Sequence, residues 1–478
     1  MSRKILGPFS RVEGHLEIEL ERTKTNITSA RVNSPMFRGM ETVMLKRDPM
    51  DALTIAPRIC GICSVSQSVA AARVLGKLAG VTPPRNGELI TNLILGCEVL
   101  SNHLTHFYMF FMPDFARHHY ETKSWFGEAL RFKAEKGSAT AKALEARNHL
   151  LHIMGVLAGK WPHTLTIRPG GTTQSIKTTE KLKLRTILSS MTAFLEENLF
   201  ATSIDDITNL KSLSDLRAWQ KTTTGDAGFF LKLSDDLGLA EMGQTSSPLM
   251  SGGGYPVDGV NLFAQGVFND RHVTPLPISE IREDISHSFM GGPLIQAPFD
   301  GVTDPYLDKE NAYSWCKAPR LDGTRVEVGA LARHVVNGEP LFRELYQHQT
   351  STVETRIFAR LWEMAKLSQA MQGWINEIEP NGDFYEECEF PESGQAVAFV
   401  EAARGTLGHW ISVKENVISN YQIVAPTTWN FSPRDHNNQA GPLEDALEKA
   451  PIEKGEVDPI SVQHIVRSFD PCMACTVH

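Results

Sequence analysis

Apolar residues recur at three- and four-residue steps through Leu89, Ile90, Leu93, Ile94, Cys97, Leu100, Leu104, Phe107, Tyr108 and Phe111. That spacing predicts one long helix with a broad buried face. Similar patterns predict helices over 138–158, 177–200 and 354–377. Asp48-Pro49 is a helix-start signal, the stretch from Ser66 to Ala79 is rich in Ala, Val and Leu, and Gly80 with Pro83-Pro84 ends it. Strict alternation of apolar and charged residues from His15 to Glu21 instead predicts a half-buried strand, and the first forty residues read as strands and turns. Between 203 and 310 neither period holds; the run Ser251-Gly252-Gly253-Gly254 and scattered prolines predict long irregular segments. Val462 to Phe469 reads as a helix or turn that delivers the chain's end. The fold class expected is α+β, mainly helical: a central helix bundle with peripheral short strands and long loops.

With 478 residues the chain is long for one unit, yet it has no low-complexity linker, charge block or internal repeat. A single domain over 1–478 is expected, since 41% apolar residues suffice for a large core. Charges of both signs are interspersed, with a net charge of −9. That argues against nucleic acid or an anionic membrane as partner. No stretch reaches the roughly 18 apolar residues of a spanning helix, so no membrane insertion is expected. Met1 to Pro8 carries no export pattern, which makes the cytoplasm the expected location, although a partner could carry a signal for both.

The cysteines bring in chemistry. Seven is an odd number in a long chain, which makes a disulfide framework a poor reading. Four of them form two Cys-x-x-Cys pairs at opposite ends: Cys60-Gly-Ile-Cys63 and Cys472-Met-Ala-Cys475. One such pair alone is a redox dithiol, half a zinc site or a coincidence. Two pairs point to a metal, because each presents two thiolates from about one turn of backbone. Zinc, nickel, iron and copper(I) all accept such donors. Small zinc modules staple short loops with nearby pairs, whereas this site would join the two ends of a long chain, which suggests an assembled cofactor. Cys97, Cys316 and Cys388 lack a spacing partner and read as buried small apolar residues.

Arg58-Ile-Cys-Gly-Ile-Cys63 together with Asp470-Pro-Cys-x-x-Cys-x-x-His478 resembles the paired signature of nickel–iron hydrogenase large subunits. Further matches run in order through nearly the whole chain: Arg11-Val-Glu-Gly-His15, Phe37-Arg-Gly-Met-Glu41, Gly159-Lys-Trp-Pro-His163, Glu401-Ala-Ala-Arg-Gly405 with Gly408-His-Trp410, and Asn420-Tyr-Gln422 through Trp429-Asn430. The resemblance implies an enzyme that splits H2 heterolytically on a Ni–Fe centre whose iron carries one CO and two cyanides. Cys60 and Cys472 would bind nickel alone, Cys63 and Cys475 would bridge the metals, and Cys472 is the expected base. Glu13 would carry the proton onward if burial raises its pKa. Arg404 and Thr427 would donate to the cyanides. Glu41, the Ile423 carbonyl and His478 would hold magnesium, for which a histidine is an unusual ligand. His163 would face an obligate small subunit bearing Fe–S clusters.

Some positions depart from the common pattern. Gln67 stands where many members have histidine, Asn102 where aspartate is usual, and Ala403 where proline is frequent. Ile62 and Phe110 are bulkier than usual at two gas-path positions. Ile62, Gln67 and Phe110 together resemble the H2-sensing branch, for which a signalling kinase or further oligomerisation are partners to consider. The end at His478 fits that branch, and fits a processed chain equally. The rivals are a cytosolic uptake hydrogenase with the same metals, a complex-I-like subunit, which lacks the cysteine pairs, and a zinc-stapled structural protein.

Overall fold

The alternation near the N-terminus does form a strand. A computed structural model describes residues 2–453, 456 and 458–478, with side chains from Lys4 onward. Glu17–Arg22 lies between Ser2–Leu6 and Ile27–Asn33 in an antiparallel sheet. Ile18 faces Val32 and Leu20 faces Ala30 across the register, and all four are buried. Glu19 and Arg31, the pair between them, point the other way, as a period of two requires.

The predicted helices form with interruptions. The 48–80 stretch begins as short helical turns (Pro49–Asp51, Ala52–Ile55, Ala56–Ile59) and becomes a regular helix only over Ser64–Ala79. Gly80 closes it in the left-handed region at φ 67°. The long apolar helix runs over Arg85–Thr105 and then loosens into a π turn at His106–Phe111. The 177–200 helix ends in the same way, with Thr178–Phe194 passing into a π turn at Leu195–Phe200. The 138–158 region is two helices, Ser138–Leu150 and His152–Leu157. Val353–Glu377 is the longest described helix and packs against both Arg85–Thr105 and Thr178–Phe194.

The expectation of long irregular segments over 203–310 holds beyond Asp284, where only the short strand Ile295–Gln296 and the turn Pro298–Asp300 interrupt them, and is corrected before it. Helices occupy Ile204–Thr208, Leu213–Thr222 and Asp226–Leu237, and a hairpin pairs Leu249–Val257 with Val260–Asn269. The three glycines lie inside the first hairpin strand. A Cβ on Gly252 would meet Thr406 at 2.7 Å and Phe399 at 2.8 Å, and one on Gly254 would meet Glu401 at 2.8 Å. These glycines allow one sheet to approach another; they do not make a turn.

The strands are also more than peripheral. Gly394–Ala402, Gly405–Lys414 and Val417–Val424 form an antiparallel sheet, and Ser64–Ala79 packs on its first two strands. The α+β class therefore holds, but helices and this sheet share the interior. One apolar cluster runs from Leu6 to Cys475 and includes all four paired cysteines. Among the described residues, no helix is long and apolar enough to cross a membrane.

Candidate metal centre

Both cysteine pairs sit at the starts of helices. Cys63 immediately precedes Ser64–Ala79, and Cys472 precedes the short helix Met473–Thr476. The first helix is capped from its neighbour. Glu98 accepts from the Val65 amide (2.7 Å), the Ser66 amide (2.9 Å) and the Ser66 hydroxyl (2.8 Å). This satisfies amides that a helix start leaves open. Burial pushes Glu98 up to about 7 against the pull of those bonds.

The C-terminal segment is held by groups from many elements. The Glu13 amide donates to the Pro471 carbonyl (3.4 Å), and the Met473 amide donates to the Glu13 carbonyl (2.8 Å). The Thr427 hydroxyl accepts from the Cys472 amide at 3.1 Å. Arg404 donates through Nε to the Asp470 carbonyl (2.8 Å) and through Nη2 to its carboxylate (3.1 Å). Arg360 reaches the carbonyls of Ser468 (2.6 Å) and Phe469 (3.0 Å).

The result is a buried cluster in which one sulfur from each of the four cysteines lies within 4.8 Å of the others. Cys63 and Cys475 are 2.9 Å apart, Cys472 and Cys475 3.0 Å, and Cys60 and Cys472 3.5 Å. Four thiolates around an ion at about 2.3 Å stand roughly 3.8 Å from each other, so the donor set fits a soft metal. Hydrogen bonds among the sulfurs hold the Cys60 thiol down and push those of Cys63 and Cys475 up, and a cation bound among them would favour the thiolate at all four. None of the seven cysteines is in a disulfide.

Thiolates alone do not separate zinc from nickel and iron; comparison with known proteins does. The nickel-dependent hydrogenase family pattern matches residues 38–123 and 122–478. The chain belongs to the nickel-dependent hydrogenase family. It is 29% identical over 523 residues to the periplasmic [NiFeSe] hydrogenase large subunit of Desulfomicrobium baculatum, spanning 99% of this chain and 94% of that one. It is 28% identical over 573 residues to the hydrogenase-2 large chain of Escherichia coli, spanning 100% and 97%. The as-isolated, oxidised Ni-Fe-Se hydrogenase of D. vulgaris Hildenborough superposes with a TM-score of 0.86 at 28% identity, covering both chains completely. This hydrogenase is therefore the large subunit of a nickel–iron enzyme, and its four-cysteine cluster fits a Ni–Fe centre. The zinc-staple and complex-I-like readings fall away.

Around the cluster, Glu13 is half-buried. Burial and the neighbouring Cys60 raise its pKa, while Arg404 and Arg38 oppose them. Arg404 is fully buried; Asp470 and the thiols keep it charged against that burial. Asn102 donates to the second oxygen of Asp470 at 2.9 Å. The departure from aspartate thus supplies an N–H donor to a carboxylate that Arg404 already pairs. Gln67 is buried one helical turn beyond Cys63, and its Oε1 lies 2.9 Å from His409 Nε2. Burial pushes His409 down to about 3. Its ring is therefore neutral, Nε2 carries the proton, and Nδ1 accepts from the Tyr421 hydroxyl at 2.8 Å. Ile62 and Phe110 are both half-buried, and Phe110 sits in the π turn, where Arg11 donates to its carbonyl at 3.0 Å. His163, also half-buried, has Nδ1 2.9 Å from the Pro57 carbonyl.

The group expected for magnesium comes together with a difference. His478 Nε2 lies 3.1 Å from Glu41 Oε1, and Ile423 meets the same oxygen through its amide N–H at 2.8 Å. Buried Lys317 stands 3.4 Å from Glu41, 3.3 Å from Glu283 and 2.5 Å from Gln422 Oε1. Burial would raise the Glu41 carboxyl, yet Lys317 and His478 hold it down to about 2. The fit to magnesium is partial, because a lysine already supplies positive charge.

Sequence reasoning missed Lys317, Glu283, Arg360 and the pairing role of Asp470, which carry no spacing signal. It also misplaced Cys388. Cys97 and Cys316 are buried as expected, but Cys388 is only half-buried, in an irregular stretch after Glu377.

Proposed function

We propose that this hydrogenase splits H2 heterolytically and serves as a hydrogen sensor in the cytoplasm. The four converging thiols carry the first part of the reading. They would hold nickel and an iron bearing CO and two cyanides, and that group supplies the metals that polarise H2. Cys472 would act as the base beside it, while Cys60, Cys63 and Cys475 would supply the other thiolates that hold the metals. Arg404 and Thr427, both bonded to the Asp470–Cys472 segment, would donate to the cyanides. Glu13, main-chain-bonded to that segment on both sides, would take the proton onward. Glu41, Ile423 and His478 would hold magnesium beneath the C-terminus. Electrons need an exit, and Cys97, Cys316 and Cys388 form no further cluster, so the Fe–S clusters belong to a small-subunit partner; a kinase or further oligomerisation would relay the signal. Infrared spectra and metal analysis of the purified complex test the centre: CO and cyanide bands with equal nickel and active-site iron are expected, and zinc without those bands would refute it.

The sensor role rests on Ile62, Gln67 and Phe110. In a packed interior a few methylenes close a narrow path, and O2 is larger than H2. The enzyme is expected to oxidise H2 slowly and to survive air. Ile62→Val with Phe110→Leu should introduce O2 inactivation while leaving the metals in place, since neither residue is a ligand. H2 oxidation before and after air exposure decides. A wild type already inactivated by air, or a double variant as tolerant as the wild type, favours the uptake role instead.

A further inference from the structure

Three arginines grip the C-terminal segment through its main-chain carbonyls. Arg360 holds Ser468 and Phe469, Arg404 holds Asp470, and Arg38 holds Ala474. Arg38 differs from the other two in what else it touches. Its Nη2 donates both to the Ala474 carbonyl at 2.7 Å and to the Ile59 carbonyl. Ile59 immediately precedes Cys60, and Ala474 immediately precedes Cys475. One guanidinium nitrogen therefore ties the residue before a ligand in the first pair to the residue before a ligand in the second, across the 412 positions that separate Cys60 from Cys472.

The surroundings prepare this position. The Arg38 amide donates to the Val477 carbonyl at 3.2 Å, so main chain and side chain straddle the end of the segment. Gly39 follows in the left-handed region at φ 69° and turns the chain into the helix Met40–Met44, which carries Glu41 to His478. Ile59 ends a helical turn, where a carbonyl has no partner of its own. Arg38 is exposed, so the core does not need it for packing.

We propose that Arg38 is a positioning residue: a clasp that closes the two cysteine loops over the metals and sets how firmly nickel is retained. The proposal rests on the reading of the cysteine cluster as a nickel–iron centre. The clasp forms only when both loops are in place, because neither carbonyl is reached without its own loop folded. Hydrogen bonds from a charged donor are the strong class, and two meet at this one nitrogen.

The test uses the complete complex of this chain with its partner subunit. Nickel release into excess EDTA is followed with time, and amide exchange is followed over 472–478. Arg38→Met removes both bonds and should release nickel at least about tenfold faster, the scale of even one lost charge-assisted bond. Exchange at Met473 and Cys475 should rise with it. Arg38→Lys keeps the charge on a shorter stem and should fall between. Release and exchange equal to wild type in Arg38→Met overturn the clasp. If that variant yields no folded complex, Arg38→Lys decides, and wild-type behaviour there overturns it as well. A wild-type complex without nickel would instead overturn the reading of the site itself.

Discussion

Replacing Cys475 with alanine is expected to leave a folded chain that no longer retains nickel. Cys475 sits at the centre of the cluster, 2.9 Å from Cys63 and 3.0 Å from Cys472. It is one of the four thiolates that would hold the metals, so its loss would leave only three sulfurs to bind them and balance their charge. The fold should survive. Met473 keeps its bond to Glu13, Arg404 keeps Asp470, and Arg38 keeps the Ala474 carbonyl, none of which uses the Cys475 sulfur. Elemental analysis should find nickel at background, with circular dichroism unchanged. A fully metallated, active variant would sink the assignment of Cys475 as a ligand. Among single substitutions at the site this one has the largest expected effect, because it removes the group on which the other residues act.

The cysteine pairs were legible because their chemistry is local: two thiols and a turn fit in four residues, and the chain's length then says that two ends must meet. The strand Glu17–Arg22 and the helix Val353–Glu377 were legible because one face of each is buried and leaves a period in the sequence. What was lost lies where the period breaks or where contact is purely tertiary. A π turn adds a residue to a helical turn, so His106–Phe111 looked like more of the same helix. Gly252 and Gly254 resembled a loop because composition cannot distinguish a turn from a sheet pressed against Phe399, Glu401 and Thr406. Lys317 had no signal at all, since a buried lysine is recognisable only beside the carboxylates that pay for it, here Glu41 and Glu283. Asn102 had one, as a departure from a common aspartate, but its use became clear only with Asp470 at 2.9 Å.

Glu13→Gln is expected to keep the metals and slow H2/D+ exchange by about 100- to 10,000-fold, the span typical of a lost acid–base group. The two bonds that tie residue 13 to the Cys472 loop run through its main chain, so the substitution leaves them intact. It changes only whether the side chain can accept and release a proton. Burial and the nearby Cys60 raise the Glu13 pKa, against the pull of Arg404 and Arg38. The same shift fixes the sign of the stability effect. An acid whose pKa is higher in the fold than in the unfolded chain holds its proton more tightly when folded, so ionising it costs stability as the pH rises above the ordinary carboxylate range. Glutamine copies the neutral form and carries no such cost, so the variant should be at least as stable as wild type at neutral pH. Slow exchange in that variant therefore reports proton transfer and not unfolding. The measurement is isotope exchange by mass spectrometry, beside nickel content and thermal unfolding of the same sample. Exchange at the wild-type rate would mean that another group carries the proton, and the assignment of Glu13 would fall while the metal centre stood.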